Sequence, residues 1–104
     1  MADLRLLFDK LADEMVDTGE VQPGTMMGFP CLRVRKHYIA CKDINTGTLI
    51  VRLTKERVSE LVLRGSAEVF APAGQEFPQW AKMSLPDEGL WRQVLHEARK
   101  LAEN

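Results

Sequence analysis

The chain has 104 residues, the size of one small domain, with 45% apolar and 28% charged side chains and a formal net charge of −1. That balance supports a packed core and excludes a chain that is disordered by composition, and 7 Gly and 5 Pro exclude collagen-like or linker-like character. Near-neutral charge excludes a generally basic nucleic-acid coat protein, while leaving room for a local basic patch.

The first apolar cluster, Leu4 to Phe8, is interrupted by Arg5 and followed by Asp9 and Lys10. It is too short and too charged for a signal peptide or a membrane span. No later segment approaches the ~20 uninterrupted apolar residues of a spanning helix, so the expected location is the cytoplasm, with no membrane partner. The 2 cysteines, Cys31 and Cys41, are not a disulfide framework. In a reducing compartment both are expected as thiols.

Residues 3 to 18 read as an amphipathic helix. Leu4, Leu7, Phe8, Leu11 and Met15 recur at steps of three and four and share one face. Asp3 is the expected N-cap and Gly19 the expected stop. Pro23-Gly24 reads as a turn. From Thr25 to Leu53 the pattern changes to period two. Cys31 to Arg35 and Tyr38 to Lys42 read as strands joined by an Arg35-Lys36 or Lys36-His37 tip, neither a favoured hairpin pair. Asp43-Ile44-Asn45-Thr46-Gly47 is a strong turn, because Asn and Gly tolerate positive φ. Thr48 to Leu53 is the clearest strand, rich in β-branched and apolar residues.

Thr54 is the expected cap of a second helix with Val58, Leu61 and Val62 as apolar positions and Gly65 as its end. Residues 66 to 81 lack periodicity, and Pro72, Gly74 and Pro78 indicate an irregular loop. Phe70, Phe77 and Trp80 are expected to pin that loop into the core, since solvated loops rarely need three aromatics. A short strand around Ala81 to Leu85 follows. Pro86-Asp87-Glu88 opens a last helix whose stripe is Trp91, Val94, Leu95, Ala98 and Leu101. The order predicts one α+β domain over residues 1–104, an antiparallel meander with helices packed largely on one face.

A two-residue tip pairs even positions of one strand with odd positions of the next. Leu32, Val34, Ile39 and Cys41 then share the core face with Leu49, Val51 and Leu53. Cys31, Arg33, Arg35, Tyr38, Ala40, Lys42, Thr48, Ile50 and Arg52 fall on the opposite face. A one-residue slip would exchange the faces of a strand.

Three stretches carry a family resemblance: Met26-Met27-Gly28-Phe29-Pro30-Cys31 before a hairpin, Leu49-Ile50-Val51-Arg52-Leu53 running into Thr54-Lys55-Glu56-Arg57, and Phe70-x-Pro72-x-Gly74 followed by Pro78-x-Trp80 and a closing helix. In order and spacing the chain resembles the TfoX N-terminal domain family, near the YjbR-like proteins, from Leu4 to about Ala102. The resemblance implies an α+β fold with an antiparallel sheet, similar to secretion-chaperone-like folds in which the sheet often takes part in dimerisation. It implies no catalytic set and no cofactor. Founding members are competence regulators with a second, C-terminal domain, for which these residues leave no room, so a stand-alone single-domain module is expected. The tip departs from the Asn-Gly-like turn common in relatives.

Chemistry-bearing residues are sparse. Cys31, His37, Cys41 and His96 lack zinc-ligand spacing, so no metal site is expected. A Cys31 nucleophile with His37 as base is the sharpest enzyme reading, since a thiolate needs a nearby cation or base. It lacks an orienting third residue and an oxyanion donor, and the expectation is a non-enzyme. Asp13, Asp17 and Glu20, at helical spacing on a polar face, read as solvated carboxylates. No phosphate loop or dinucleotide fingerprint is present, and no small-molecule ligand is evident.

Charge distribution says more. Residues 1–30 carry net −4, residues 31–57 net +5 and residues 58–104 net −2. The candidate binding residues are therefore those of the non-core sheet face: Arg33, Arg35, Tyr38, Lys42, Ile50 and Arg52. Such a face suits a protein partner or a second copy of the chain, with Tyr38 and Ile50 as apolar contact and the arginines as directional pairing. It also suits a regulator that touches nucleic acid, with cations on phosphates and Tyr38 stacking, although one aromatic is thin for that. A merely solvated sheet face has the same composition. The leading expectation is a non-catalytic interaction module, a homodimer through the open sheet face.

Overall fold

A computed structural model describes residues 4–26 and 28–103. The expected cap Asp3 and Met27, and the side chain of Leu4, lie outside the described residues. In chain order the elements are α1 (Leu4–Asp17), β1 (Gln22–Met26), β2 (Phe29–Val34), β3 (His37–Lys42), β4 (Leu49–Arg52), α2 (Lys55–Leu63), β5 (Glu68–Phe70), a short 3-10 turn (Pro72–Gly74), β6 (Phe77–Met83) and α3 (Glu88–Glu103). Among the described residues the strands form one six-stranded antiparallel sheet in the order β1-β2-β3-β4-β6-β5. The fold class is α+β, with the helices on one face.

The helix ends follow from local chemistry. Thr54 Oγ1 accepts the Arg57 amide proton at 3.1 Å and caps α2. Asp87 Oδ1 does the same for Leu90 at 3.1 Å at the start of α3. Both α1 and α2 stop on a glycine: Gly19 and Gly65 have φ of +79° and +76°. Their neighbours close Schellman motifs, with Glu20 N–H donating to the Met15 carbonyl and Ser66 N–H to the Leu61 carbonyl.

Behind the sheet, α3 lies over β2, β3 and β4, α2 over β5 and β6, and α1 against β1. Their apolar stripes meet the inward sheet residues in one core. Phe8, Leu11, Leu61, Trp91, Val94 and Leu95 pack there against Leu32, Ile39, Leu49, Val51, Ala81 and Met83, all essentially without exposure. Two helical positions read as apolar contacts are less covered: Val62 is exposed and Leu101 only half-buried.

Four features of the sheet differ from the sequence reading. Pro23-Gly24 is not a turn but part of β1, an edge strand, where a proline costs no needed ladder bond. A three-residue β5 also forms, and β6 begins at Phe77 rather than near Ala81. Thr48 is not on the open face: it is buried, its hydroxyl 2.7 Å from that of Thr46.

The fourth difference concerns register. The tip is Arg35-Lys36, with Arg35 at φ 57°, and it sets Val34 opposite His37 and Arg33 opposite Tyr38. The register then shifts, so that Leu32 faces Ala40 and Cys31 faces Cys41. This β-bulge gives β3 one extra residue. Ile39 and Ala40 both enter the core, and every residue beyond them changes face. Cys41 leaves the expected core face to join Cys31, and Ala40 and Lys42 leave the expected open face.

Ion pairs tie α1 to the start of α3. Lys10 Nζ lies 2.8 Å from Glu88 Oε1, and Arg92 Nη2 lies 3.2 Å from Glu88 Oε2 and 3.0 Å from Glu14 Oε2. The hydrogen bonds from Lys10 and Arg92 hold the Glu88 carboxyl below its ordinary range. A carboxyl depressed in the folded state adds stability above its unfolded pKa and loses that contribution as pH falls through the folded value. Melting temperatures of wild type and Glu88→Gln are therefore expected to differ at neutral pH and to converge in acid. The difference is small because the pairs are exposed; an offset that stays constant into acid would contradict this assignment.

Candidate functional site

The face of the sheet away from the helices is covered by no other element among the described residues. Its residues follow from the register. Phe29, Cys31 and Arg33 of β2 line up with Tyr38 and Cys41 of β3, and these with Ile50 and Arg52 of β4, which pair with Lys82 and Trp80 of β6. Gly24 of β1 lies on the same side: a Cβ there would meet Arg33 Cδ and Tyr38 Cε1 at 3.4 Å each.

Across this face runs an apolar groove of about 480 Å³. Cys41 and Ile50 lie at its centre, Met26 and Phe29 at one end, and Phe70, Pro72, Phe77 and Trp80 at the other. The Phe70 and Phe77 rings stack with centroids 6.0 Å apart and planes tilted by 33°. Phe77 is 38% exposed and Met26 40% exposed. The expectation that Phe70, Phe77 and Trp80 pin a loop into the core is thus corrected. Hydrophobicity alone asks for cover; β5 and β6 turn these rings to the face opposite the helices.

Of the six sequence candidates, Arg33, Tyr38, Ile50 and Arg52 lie on this face. Ile50 is part of the groove. Arg33 Nη1 donates to the Arg35 carbonyl at 2.7 Å, and the Tyr38 hydroxyl donates to the Thr25 carbonyl at 3.1 Å. The first bond ties Arg33 to the hairpin tip, and the second ties Tyr38 of β3 to β1. Arg35 sits in the tip rather than on the face. Lys42 is a correction: the bulge turns its ammonium toward the helix layer, where it lies 2.8 Å from Asp9 Oδ1 of α1. The groove residues Met26, Phe29, Phe70, Phe77 and Trp80 were not among the candidates. For Phe70, Phe77 and Trp80 the sequence signal is an apolar content too high for a loop; for Met26 it is the adjacent methionine pair, which reads more readily as core filler than as an adaptable binding surface.

The basic stretch 31–57 is also spread over the molecule. Arg57, on α2, makes a bidentate pair with Glu97 of α3 at 3.0 and 3.1 Å and also bonds Glu60. With Lys42 turned to α1 as well, the open face carries fewer cations than the linear sequence suggests.

Cys31 and His37 are not brought together. His37 stands opposite Val34, three residues along β2 from Cys31, or about 10 Å at ~3.3 Å per residue. Burial raises the Cys31 thiol above its ordinary pKa, the reverse of an activated nucleophile. Among the described residues no group of three or more His, Cys, Asp and Glu side chains is placed to hold a metal ion, and no helix is long and apolar enough to cross a membrane.

Comparison with known proteins adds no relative. No protein-family model, no curated protein and no solved structure matches the chain. The face is therefore read from its own geometry.

Proposed function

We propose that this chain is a non-catalytic interaction module that pairs with a second copy of itself through the open face of its sheet. The observation that carries this reading is the apolar groove about Ile50 and Cys41, a continuous uncovered surface of the kind that marks association sites. Its chemistry suits a copy of the same chain. Arg33 stands at the hairpin end of the face beside the tip cations Arg35 and Lys36, and Glu76 precedes β6 on the other side, where Glu68 is already paired across strands with Lys82. A two-fold axis between the sheets, running along the strands near the β3–β4 boundary, stacks the basic hairpin of one copy over the start of β6, beside Glu76, of the other. The same operation brings the two Ile50 residues together near the axis. Such an interface is self-complementary and closes at two copies.

The sheet edges favour this mode over strand addition. One edge carries Pro23, and the other is the three-residue β5; both are common devices against edge-to-edge pairing. The resemblance to the TfoX N-terminal family, which implies a fold similar to secretion-chaperone-like folds whose sheets often take part in dimerisation, supports the same reading. Sedimentation equilibrium of the wild-type chain over about 1–100 µM tests it, the range in which an interface of ordinary size populates a dimer. The expected result is a reversible monomer–dimer equilibrium. A monomer throughout that range, or open-ended assembly, would overturn the proposal.

A further inference from the structure

The bulge at Ile39–Ala40 has a chemical consequence. It places the chain's two cysteines directly opposite each other on adjacent antiparallel strands, both on the open face and both buried. Directly opposed residues hold their Cα atoms about 4.5–5.5 Å apart. A disulfide needs about 4.4–6.8 Å. No strand movement beyond a small approach of the two Cβ atoms is required. Without the bulge, Cys31 would face Ala40, and Cys41 would point into the core.

We infer that Cys31 and Cys41 form a redox couple, a cross-strand dithiol that a small-molecule disulfide such as oxidised glutathione converts to an intrachain disulfide. The Cys31 thiolate attacks one glutathione sulfur, breaking the glutathione S–S bond, forming a mixed disulfide and releasing one glutathione thiolate. The Cys41 thiolate then attacks Cys31 Sγ, closing the Cys31–Cys41 bond and expelling the second glutathione thiolate. The two protons lost by the protein thiols end on the two released thiolates. The protein is oxidised by two electrons and oxidised glutathione is reduced by two. Cys31 is the first nucleophile because the Met26 amide and the Cys41 thiol both stabilise its thiolate, whereas burial and Cys31 itself both oppose ionisation of Cys41. Because burial raises both thiols, the exchange is slow at neutral pH and is a property of equilibrium rather than of fast signalling.

This inference is independent of self-association. The test equilibrates the chain at a series of reduced-to-oxidised glutathione ratios, once folded and once unfolded in concentrated guanidinium. The folded sample is prepared by refolding into the same buffers, so that access to buried sulfur does not limit it. Acid-quenched samples are read by intact mass and non-reducing peptide mapping. The opposed register raises the effective concentration of one thiol at the other. The equilibrium constant for the intrachain disulfide is therefore expected to be at least ~10-fold larger in the folded chain than in the unfolded one. Cys41→Ser is expected to lose the intrachain bond and to carry at most a glutathione adduct. A folded-state constant equal to or below the unfolded one, or disulfides found only between chains, would overturn the inference.

Discussion

Replacing Trp91 by alanine is expected to destabilise the domain by about 3–5 kcal/mol. Trp91 has no exposed surface and lies on the face of α3 that meets the sheet. Its indole Nε1 also donates to the Leu85 carbonyl at 3.0 Å, fastening the β6–α3 connection to the helix. Truncation removes the largest fully buried side chain and leaves a cavity that rigid neighbours fill only in part. Since small domains have about 5–15 kcal/mol in total, the variant sits near the threshold of folding. Trp91→Phe keeps most of the packing and loses the N–H donor, and about 1–2 kcal/mol is expected. The chain's other tryptophan is the control. Trp80 is half-buried on the open face, and Trp80→Ala should cost the monomer under about 1 kcal/mol. Urea denaturation followed by circular dichroism, repeated over a tenfold range of protein concentration to separate any contribution from self-association, measures all three. Equal losses at the two tryptophans would contradict the placement of their rings on opposite sides of the sheet.

The second large effect is on association. Ile50→Glu is expected to weaken the proposed dimer by at least ~100-fold while leaving the monomer folded. The side chain is half-buried on the outer face, paired across strands with Cys41 and Lys82, and outside the core cluster. In the monomer a carboxylate there remains in contact with water beside the Lys82 ammonium. In the two-fold dimer two carboxylates would meet near the axis in an apolar groove. Taking two like charges out of water side by side costs several kcal/mol, and each ~1.4 kcal/mol is a factor of ten in Kd. Sedimentation equilibrium gives the dissociation constant, and urea denaturation reports whether the fold is intact. An Ile50→Glu chain that is fully folded and dimerises like the wild type would exclude this face as the interface.

The legible parts of the fold are those in which a local period coincides with burial. The α3 stripe of Trp91, Val94, Leu95 and Ala98 repeats at helical spacing, and all four side chains are buried. The cap at Thr54, the opening of α3 at Pro86-Asp87-Glu88 and the stops at Gly19 and Gly65 depend on groups within five residues of one another. So does the Asp43–Gly47 turn, in which Gly47 N–H donates to the Asp43 carbonyl at 2.7 Å and Asn45 N–H to Asp43 Oδ1 at 2.9 Å. β4 alternates Leu49 and Val51 inward with Ile50 and Arg52 outward, as its period-two pattern implies.

The candidate site was legible only as far as the β2–β3 register held. Arg33, Tyr38, Ile50 and Arg52 were placed on the outer face correctly because they lie before the bulge or on another strand. Lys42, Ala40 and Cys41 lie beyond the bulge and were misplaced by one residue. Nothing in Tyr38-Ile39-Ala40-Cys41 marks the extra residue, because Ile39 and Ala40 are both apolar and either can face a core. For Phe70, Phe77 and Trp80 the sequence called for cover without saying on which side of the sheet.

By itself, then, the sequence determined what is settled by interactions between near neighbours: three helices and their stripes, the Asp43–Gly47 turn, antiparallel strands and the class α+β; the expected simple meander is corrected, because β4 pairs with β6 and leaves β5 at the edge. Tertiary structure alone decided which face each strand residue occupies, because strand pairing is a contact between distant segments and one unpaired residue inverts everything after it. That single inversion opposes Cys31 to Cys41 and turns Lys42 to Asp9. The pairing of β5 with β6 likewise makes an apolar groove out of residues that, read along the chain, belong in a core.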